Sequence, residues 1–412
     1  MTPSTTGAFS RRALLGSAGA GLVAGAAGGA AATYATGPAA ARTGADRGAG
    51  LGEGRVDPHG PHQAGILTPQ QARVQLAAFD LAPTAGRAGL QALLKRWTVT
   101  IARLTAGEPA DQDENQIALD AGPCSLTVTV GFGGSLFDKA GMQAARPAAL
   151  APLPDFPGDA LDRSRGDGDL WLQVCADDAL VAFHALRVLQ QQAAGTAAPR
   201  WQSAGFSRTP GATAQPRTGR NLMGQIDGTN NPKPADADFA TRIFTTGPDW
   251  LTGGSYLVFR RIRMLLDDWE NLPTDRQERV IGRRKSDGAP LSGGTETTAV
   301  DLAKSNPDGT LAIPADAHIR VAAPAANSGA AMLRRGYSYA DGVLADGSPD
   351  AGLLFLAFQA DPAHGFVPVQ RKLSRGDGLS KFLRHEASGL YAVPPGVPAG
   401  GAGYLGQALL EG

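Results

Sequence analysis

Apolar residues recur along this chain with two periods, and the two alternate. Leu126-Thr-Val-Thr-Val130 alternates and is β-branched, which predicts a strand. Leu170-Trp-Leu-Gln-Val-Cys175, Ser255-Tyr-Leu-Val-Phe-Arg-Arg-Ile-Arg263 and Gly352-Leu-Leu-Phe-Leu-Ala-Phe-Gln359 predict three more. Between them the spacing lengthens. Leu90, Leu93, Leu94, Trp97 and Ile101 fall on one face of a helix over Gly89 to Leu104. Asp177-Asp178 caps a helix through Val188 that carries Leu180, Phe183, His184 and Leu186, with His184 structural or exposed. Short helices open at Leu266 and Thr274, and a longer one runs from Phe366 to near Phe382. The run from Val74 to Phe79 is ambiguous: Thr68-Pro69 before it starts a helix, but its residues also suit a strand. Both halves thus combine antiparallel-type strands with helices packed over them. The class is α+β, and a repeated split β-α-β unit fits.

A length of 412 residues allows two or three compact units. The formal net charge of zero gives no sign of a nucleic-acid or anionic-membrane partner. The start of the chain stands apart. Phe9-Ser10-Arg11-Arg12-Ala13-Leu14-Leu15 places twin arginines before a mildly apolar run from Gly16 to Ala32, the pattern of a twin-arginine export signal. A short membrane anchor is the alternative, disfavoured by the small side chains; no later stretch is apolar enough to span a bilayer. The expected division is signal and leader over 1–45, a flexible linker over 46–62, an N-terminal domain over 63–215 and a C-terminal domain over 216–412. Cys124 and Cys175 are too few for a disulfide scaffold or a zinc site and read as buried free thiols, with a late disulfide as the alternative.

Three stretches carry candidate chemistry. His318 is a lone imidazole in an apolar-flanked segment, Arg334-Arg335 follows it, and upstream lies the turn Gly224-Gln225-Ile226-Asp227-Gly228-Thr229-Asn230-Asn231-Pro232. One imidazole, one aspartate between glycines and one arginine make a haem peroxidase constellation: the ring holds iron, and the other two handle peroxide on the far side. Each piece alone has a plainer reading, a structural histidine and a turn whose Gly and Asp tolerate unusual backbone angles. The polar stretch from Lys285 to Pro314 reads equally as a wall of the site or as a solvated insertion.

Taken together, Gly224 to Gly228, His318 to Arg320 and Leu333 to Tyr339 resemble motifs of the dye-decolorising peroxidases, above all their exported, iron-uptake-linked branch, the deferrochelatase/peroxidases. His62 to Gln70, Ser135-Leu136-Phe137, Asp167 to Leu170, Gly282 to Lys285 and Gly288 to Leu291 agree with it, so the resemblance runs from about Gly60 to about Val397. It implies two ferredoxin-like domains of the dimeric α+β barrel type, with one haem b per chain held mainly by the second. It makes His318 the iron ligand, Asp227 the acid–base group and Arg334 the stabiliser of charge on peroxide. It places Gly228, Thr229 and Asn230 at the haem edge. Ala323-Pro324-Ala325 falls where such relatives have Asn-Pro-Arg, so a propionate partner is missing and Arg320 is the expected replacement. Asp361 is the expected carboxylate behind the iron-binding ring; His364 and His385 are the rival ligands, in polar, turn-like surroundings. Arg335 reads as a structural ion pair or propionate partner, and Tyr337 and Tyr339 as packing.

The implied activity is that of an exported peroxidase that uses hydrogen peroxide to oxidise phenolic or dye-like donors through a ferryl intermediate. A second implied activity is release of iron from haem, which makes a porphyrin a substrate. The alternative is a haem-delivery protein without turnover. Further partners implied are the twin-arginine export machinery, iron-uptake proteins and a second copy of the chain.

Overall fold

The computed structural model describes residues 50–111, 115–213, 217–400 and 403–412; the twin arginines and the run behind them lie outside these. Among the described residues nine strands form: β1 (Arg73–Leu81), β2 (Thr127–Gly133), β3 (Leu170–Ala176), β4 (Ala197–Phe206), β5 (Ser255–Met264), β6 (Leu333–Arg334), β7 (Tyr337–Val343), β8 (Pro349–Gln359) and β9 (Leu383–Val393). The helices are α1 (Gly86–Thr105), α2 (Gly134–Lys139), α3 (Ala179–Ala193), α4 (Phe239–Ile243), α5 (Leu266–Glu270), α6 (Thr274–Ile281), α7 (His318–Val321), α8 (Phe366–Gly376) and α9 (Gln407–Glu411). The ambiguous Val74–Phe79 run is strand. It lies between two partners, β3 and β4, whose ladders decide what its own propensity leaves open.

All strand pairings are antiparallel, and they close on themselves. The first half has the order β4-β1-β3-β2 and the second β7-β8-β5-β9, the same ferredoxin-like arrangement twice. Pairing of Phe132 and Gly133 with Ala392 and Tyr391 joins the halves on one side. Phe206 against Ser338 joins them on the other. β6 precedes β7 along the same edge of β8 and in the same register, so the two form one interrupted strand of the ring.

Alternation along the strands sorts their side chains into two cores. Val74, Leu76 and Ala78 join Trp171, Leu257, Phe259, Tyr337, Tyr339 and Leu356 in the cluster shared by both halves, inside the ring. Trp201 stacks on Phe259 there at 4.7 Å, and Trp171 on Tyr391 at 5.6 Å. The opposite face, Ala77, Phe79 and Leu81, packs against Leu90, Leu93, Leu94 and Trp97 of α1. Burying each such Leu or Phe contributes about 1.5–3 kcal/mol. Cys124 and Cys175 are buried free thiols, and His184 is buried on α3. A third, smaller cluster of Met223, Met264, Trp269, Ile281 and Leu379 lies in the second half and ties α5 and α6 to the turn after α8.

Candidate active site

Asp227 is presented by a small hairpin. Asn221 N donates to Gln225 O at 3.0 Å and Asp227 N to Gly219 O at 2.9 Å, while Asn221 Oδ1 accepts from the amides of Met223 and Gln225 inside the turn. Arg220 fastens this hairpin to its neighbour by donating to Gly224 O, Lys285 O and Ser286 O. Gly228 follows with φ +118°, a conformation that disfavours any side chain; a Cβ there would meet only Thr218 Cγ2, at an ordinary 3.5 Å. Its requirement for glycine is therefore one of dihedral angle.

Arg334 comes from β6 and donates Nη1 to Asp227 Oδ1 at 2.8 Å. Among the described residues Asp227 Oδ2 has only a long contact, from Asn221 Nδ2 at 3.4 Å. The neighbouring arginine goes elsewhere. Arg335 is buried and donates to Thr68 O, Pro69 O and Gln71 Oε1 of the first half. Its reading as a propionate partner is thereby corrected: its donors are taken by the first half.

His318 opens α7, which lies against α8 and the end of α6. Its Nδ1 pairs with Asp377 Oδ2 at 2.7 Å. Asp377 is buried between α8 and a short 3-10 turn, which it caps by accepting from Leu379 N at 2.9 Å through Oδ1. Gly378 N donates to Asp316 O at 2.9 Å, so a second bond ties the same turn to the residues just before His318. Burial opposes a charge on the ring, but the Asp377 carboxylate outweighs it and raises the His318 pKa above the ordinary value. Asp227 and Arg334 also act on this ring through their charges, one raising and one lowering its pKa.

Three expectations need correction. Asp361 is not behind His318: its Oδ2 pairs with His364 Nδ1 at 2.8 Å and its Oδ1 accepts from Ala363 N, which makes it a turn residue. Arg320 is committed to the polar loop, with Nε and Nη2 donating to the carbonyls of Leu302, Ile313 and Pro314. It is an anchor for α7, not a free propionate partner. His385 lies inside strand β9, not in a turn, and burial beside Arg260 lowers its pKa to about 3. Ala323 precedes a short 3-10 turn, Pro324–Ala326, and the Asn327 side chain holds the carbonyls of Val321 and Ala323 there. Thr229 donates to Glu296 Oε1 at 2.9 Å, as does Thr218. Glu296 belongs to the Lys285–Pro314 stretch, so that stretch is bonded to the site and is no free insertion. Asn230 is exposed.

The donor set suits an iron porphyrin. Among the described residues no group of three or more His, Cys, Asp or Glu could hold a metal ion by itself. His318 Nε2 makes no hydrogen bond to a described residue, while Nδ1 is fixed by a carboxylate. That is the arrangement for a single imidazole ligand to an iron whose other bonds a porphyrin supplies.

Comparison with known proteins agrees with this chemistry. Residues 63–207 match the Dyp-type peroxidase N-terminal domain and residues 218–398 its C-terminal domain. The dye-decolorizing peroxidase of Thermobifida fusca is 45% identical over 387 residues, covering 90% of this chain and 89% of that one. This chain belongs to the Dyp-type peroxidases. It is also 38% identical over 370 residues to the deferrochelatase of Yersinia pestis, covering 86% of this chain and 84% of that one. The structure of ferric DtpA from Streptomyces lividans superposes with a TM-score of 0.86 at 61% identity, covering 88% of this chain and 98% of that one. Like other Dyp-type peroxidases, the chain is a haem-dependent enzyme with haem b as cofactor, acting on hydrogen peroxide and a donor substrate.

Proposed function

We propose that this Dyp-type peroxidase is exported and oxidises phenolic or dye-like donors, with His318 as iron ligand and Asp227 and Arg334 as the peroxide-handling pair. The observation that carries the reading is the 2.8 Å contact between Arg334 and Asp227, set near an imidazole that is itself backed by Asp377. Haem, when bound, supplies the iron at which peroxide is reduced and the store of oxidising equivalents that donors then consume. The chain supplies the rest. Asp227 Oδ2, the less engaged oxygen, takes the peroxide proton and returns it to the leaving oxygen. Arg334, permanently charged, stabilises the negative charge that develops there. Asp377 holds the His318 ring in one tautomer and makes it the more electron-donating.

A haem-delivery protein needs the ligand but no acid–base pair, so the distal pair speaks against that alternative. The likeness to deferrochelatase favours a second reading, release of iron from haem with the tetrapyrrole intact. The visible spectrum of the purified protein, before and after one equivalent of peroxide, separates these. A peroxidase changes spectrum and returns when a phenol is added; a carrier does not change; iron release leaves the absorption of a metal-free porphyrin.

Export rests on Arg11-Arg12 ahead of the weakly apolar run. Among the described residues no helix is long and apolar enough to cross a membrane. Replacing both arginines by lysine is expected to leave haem-loaded protein in the cytoplasm, measured by fractionation; unimpaired export of the double variant would remove the twin-arginine reading.

A further inference from the structure

We propose that Asn231 is a positioning residue for the distal pair, whose carboxamide clamps the main chain of Arg334 from the turn that carries Asp227. The inference rests on the roles proposed above for Asp227 and Arg334. It starts from how little holds Arg334 otherwise. β6 is two residues long, and its register against β8 sets only Leu333 opposite Phe358 and Arg334 opposite Ala357. Arg335 N donates to Leu356 O at 2.8 Å, so the next residue bonds toward β8. The N–H and C=O of Arg334 therefore face the other way, as groups of an edge strand that need a partner. Asn231 provides one for each. Arg334 N donates to Asn231 Oδ1 at 3.2 Å, and Asn231 Nδ2 donates to Arg334 O at 2.7 Å. The pair of bonds is the ring that a neighbouring strand would make, formed by one side chain. A carboxamide suits this because it offers a donor and an acceptor on separate atoms of one carbon and stays neutral near pH 7.

The clamp is rigid at its own end. Asn231 N donates to Gly228 O at 3.0 Å, which closes the turn, and Pro232 restricts the backbone that leaves it. The segment from Asp227 to Asn231 thus holds Arg334 at both ends, the guanidinium through Asp227 and the main chain through Asn231. The separation of acid–base group and cation is set inside one short turn. Asn231 need not touch the reacting atoms for its loss to displace the charge that does.

The test uses the full, haem-loaded chain in three variants, Asn231→Ala, Asn231→Asp and Arg334→Leu. Asn231→Ala is expected to keep its haem and resting spectrum. Its Arg334 amide should exchange with deuterium at least ~10-fold faster, read by mass spectrometry with fragmentation to single residues. The first spectral change after mixing with peroxide should slow by about 10- to 100-fold, the scale for a misplacement of about 1 Å. Asn231→Asp is nearly isosteric, but only its protonated form can donate to Arg334 O. Its rate relative to wild type should approach one below the ordinary carboxyl value of ~3.9 and fall as pH rises. Taking the ratio removes what Asp227, Arg334 and His318 contribute to both proteins. A merely structural asparagine would give a ratio flat with pH, and that result overturns the proposal. So does a wild-type rate in Asn231→Ala when Arg334→Leu is slowed, which leaves the distal pair standing. A wild-type rate in Arg334→Leu removes the pair's role and the clamp's with it. If Asn231→Ala fails to fold, the pH ratio of Asn231→Asp decides alone.

Discussion

Protein carrying His318→Ala is expected to purify with most of its haem missing, and what haem remains should lack the spectral signature of imidazole ligation. The measurement is the ratio of haem to protein absorbance, followed by titration with free imidazole, which should restore the signature by filling the space the ring leaves. A normal haem content and unchanged spectrum would rule His318 out as ligand. Two companion measurements follow from the bond to Asp377. Substituting a residue that orients a metal ligand commonly costs about 10- to 100-fold in affinity, and Asp377→Asn should fall in that range. The apoprotein should also take up haem less well in acid. Iron needs the neutral ring, and Asp377 raises the pKa of His318, so the proton competes from a higher pH than it would for an ordinary histidine. Affinity then drops by about tenfold per pH unit below that pKa, one proton being displaced per haem. In Asp377→Asn the carboxylate is gone and the acid limb moves to lower pH.

Arg334→Leu is the second large effect. It should bind haem normally, because the arginine is not among the residues that hold His318. Its reaction with peroxide should slow by about 100- to 1000-fold, the roughly 2.7–4 kcal/mol associated with one well-placed donor on a developing oxyanion. Stopped-flow mixing with peroxide measures this directly. Arg335→Leu, one residue on, should behave differently. That side chain is buried among carbonyls of the first half, so its loss should appear mainly as a lower melting temperature. If Arg334→Leu matches wild type in rate, the contact with Asp227 is only an ion pair at a half-exposed surface.

Sequence and structure agree best where the pattern is strict. β2, β3, β5 and β8 alternate or run apolar, and each forms close to where it is expected. α1 and α3 follow the same logic. β4 and β9 carry exposed or half-exposed polar residues at several positions, and β7 carries Ala-Asp-Gly, so their strand character comes from their neighbours in the ring. The site divides in the same way. Asp227, Arg334 and His318 stand in short motifs and are legible. Asp377 is not, because it lies 59 positions from His318 and only the docking of α7 on α8 brings the two together. Asp361 was attractive because it directly follows an apolar strand, yet a carboxylate two residues before an amide and three before a histidine is also suited to bond both, as it does here. Arg320 shows the same limit: its charge is visible in sequence, but the backbone carbonyls that occupy its donors are not.

The arginine doublet ties the two halves of the molecule at a sensitive point. One side chain reaches Asp227 and the next is gripped by Thr68, Pro69 and Gln71, while Gln70 Nε2 donates to Gly336 O at 2.6 Å just beyond. Four consecutive residues of the first half therefore hold the strand end from which Arg334 projects. In a screen of random substitutions, changes at Gln70 and Gln71, whose side chains make two of these bonds, should lower the melting temperature as Arg335→Leu does, whereas Thr68 and Pro69 bond through main-chain carbonyls that a substitution leaves in place. The first repeat, in that sense, fastens one end of the second.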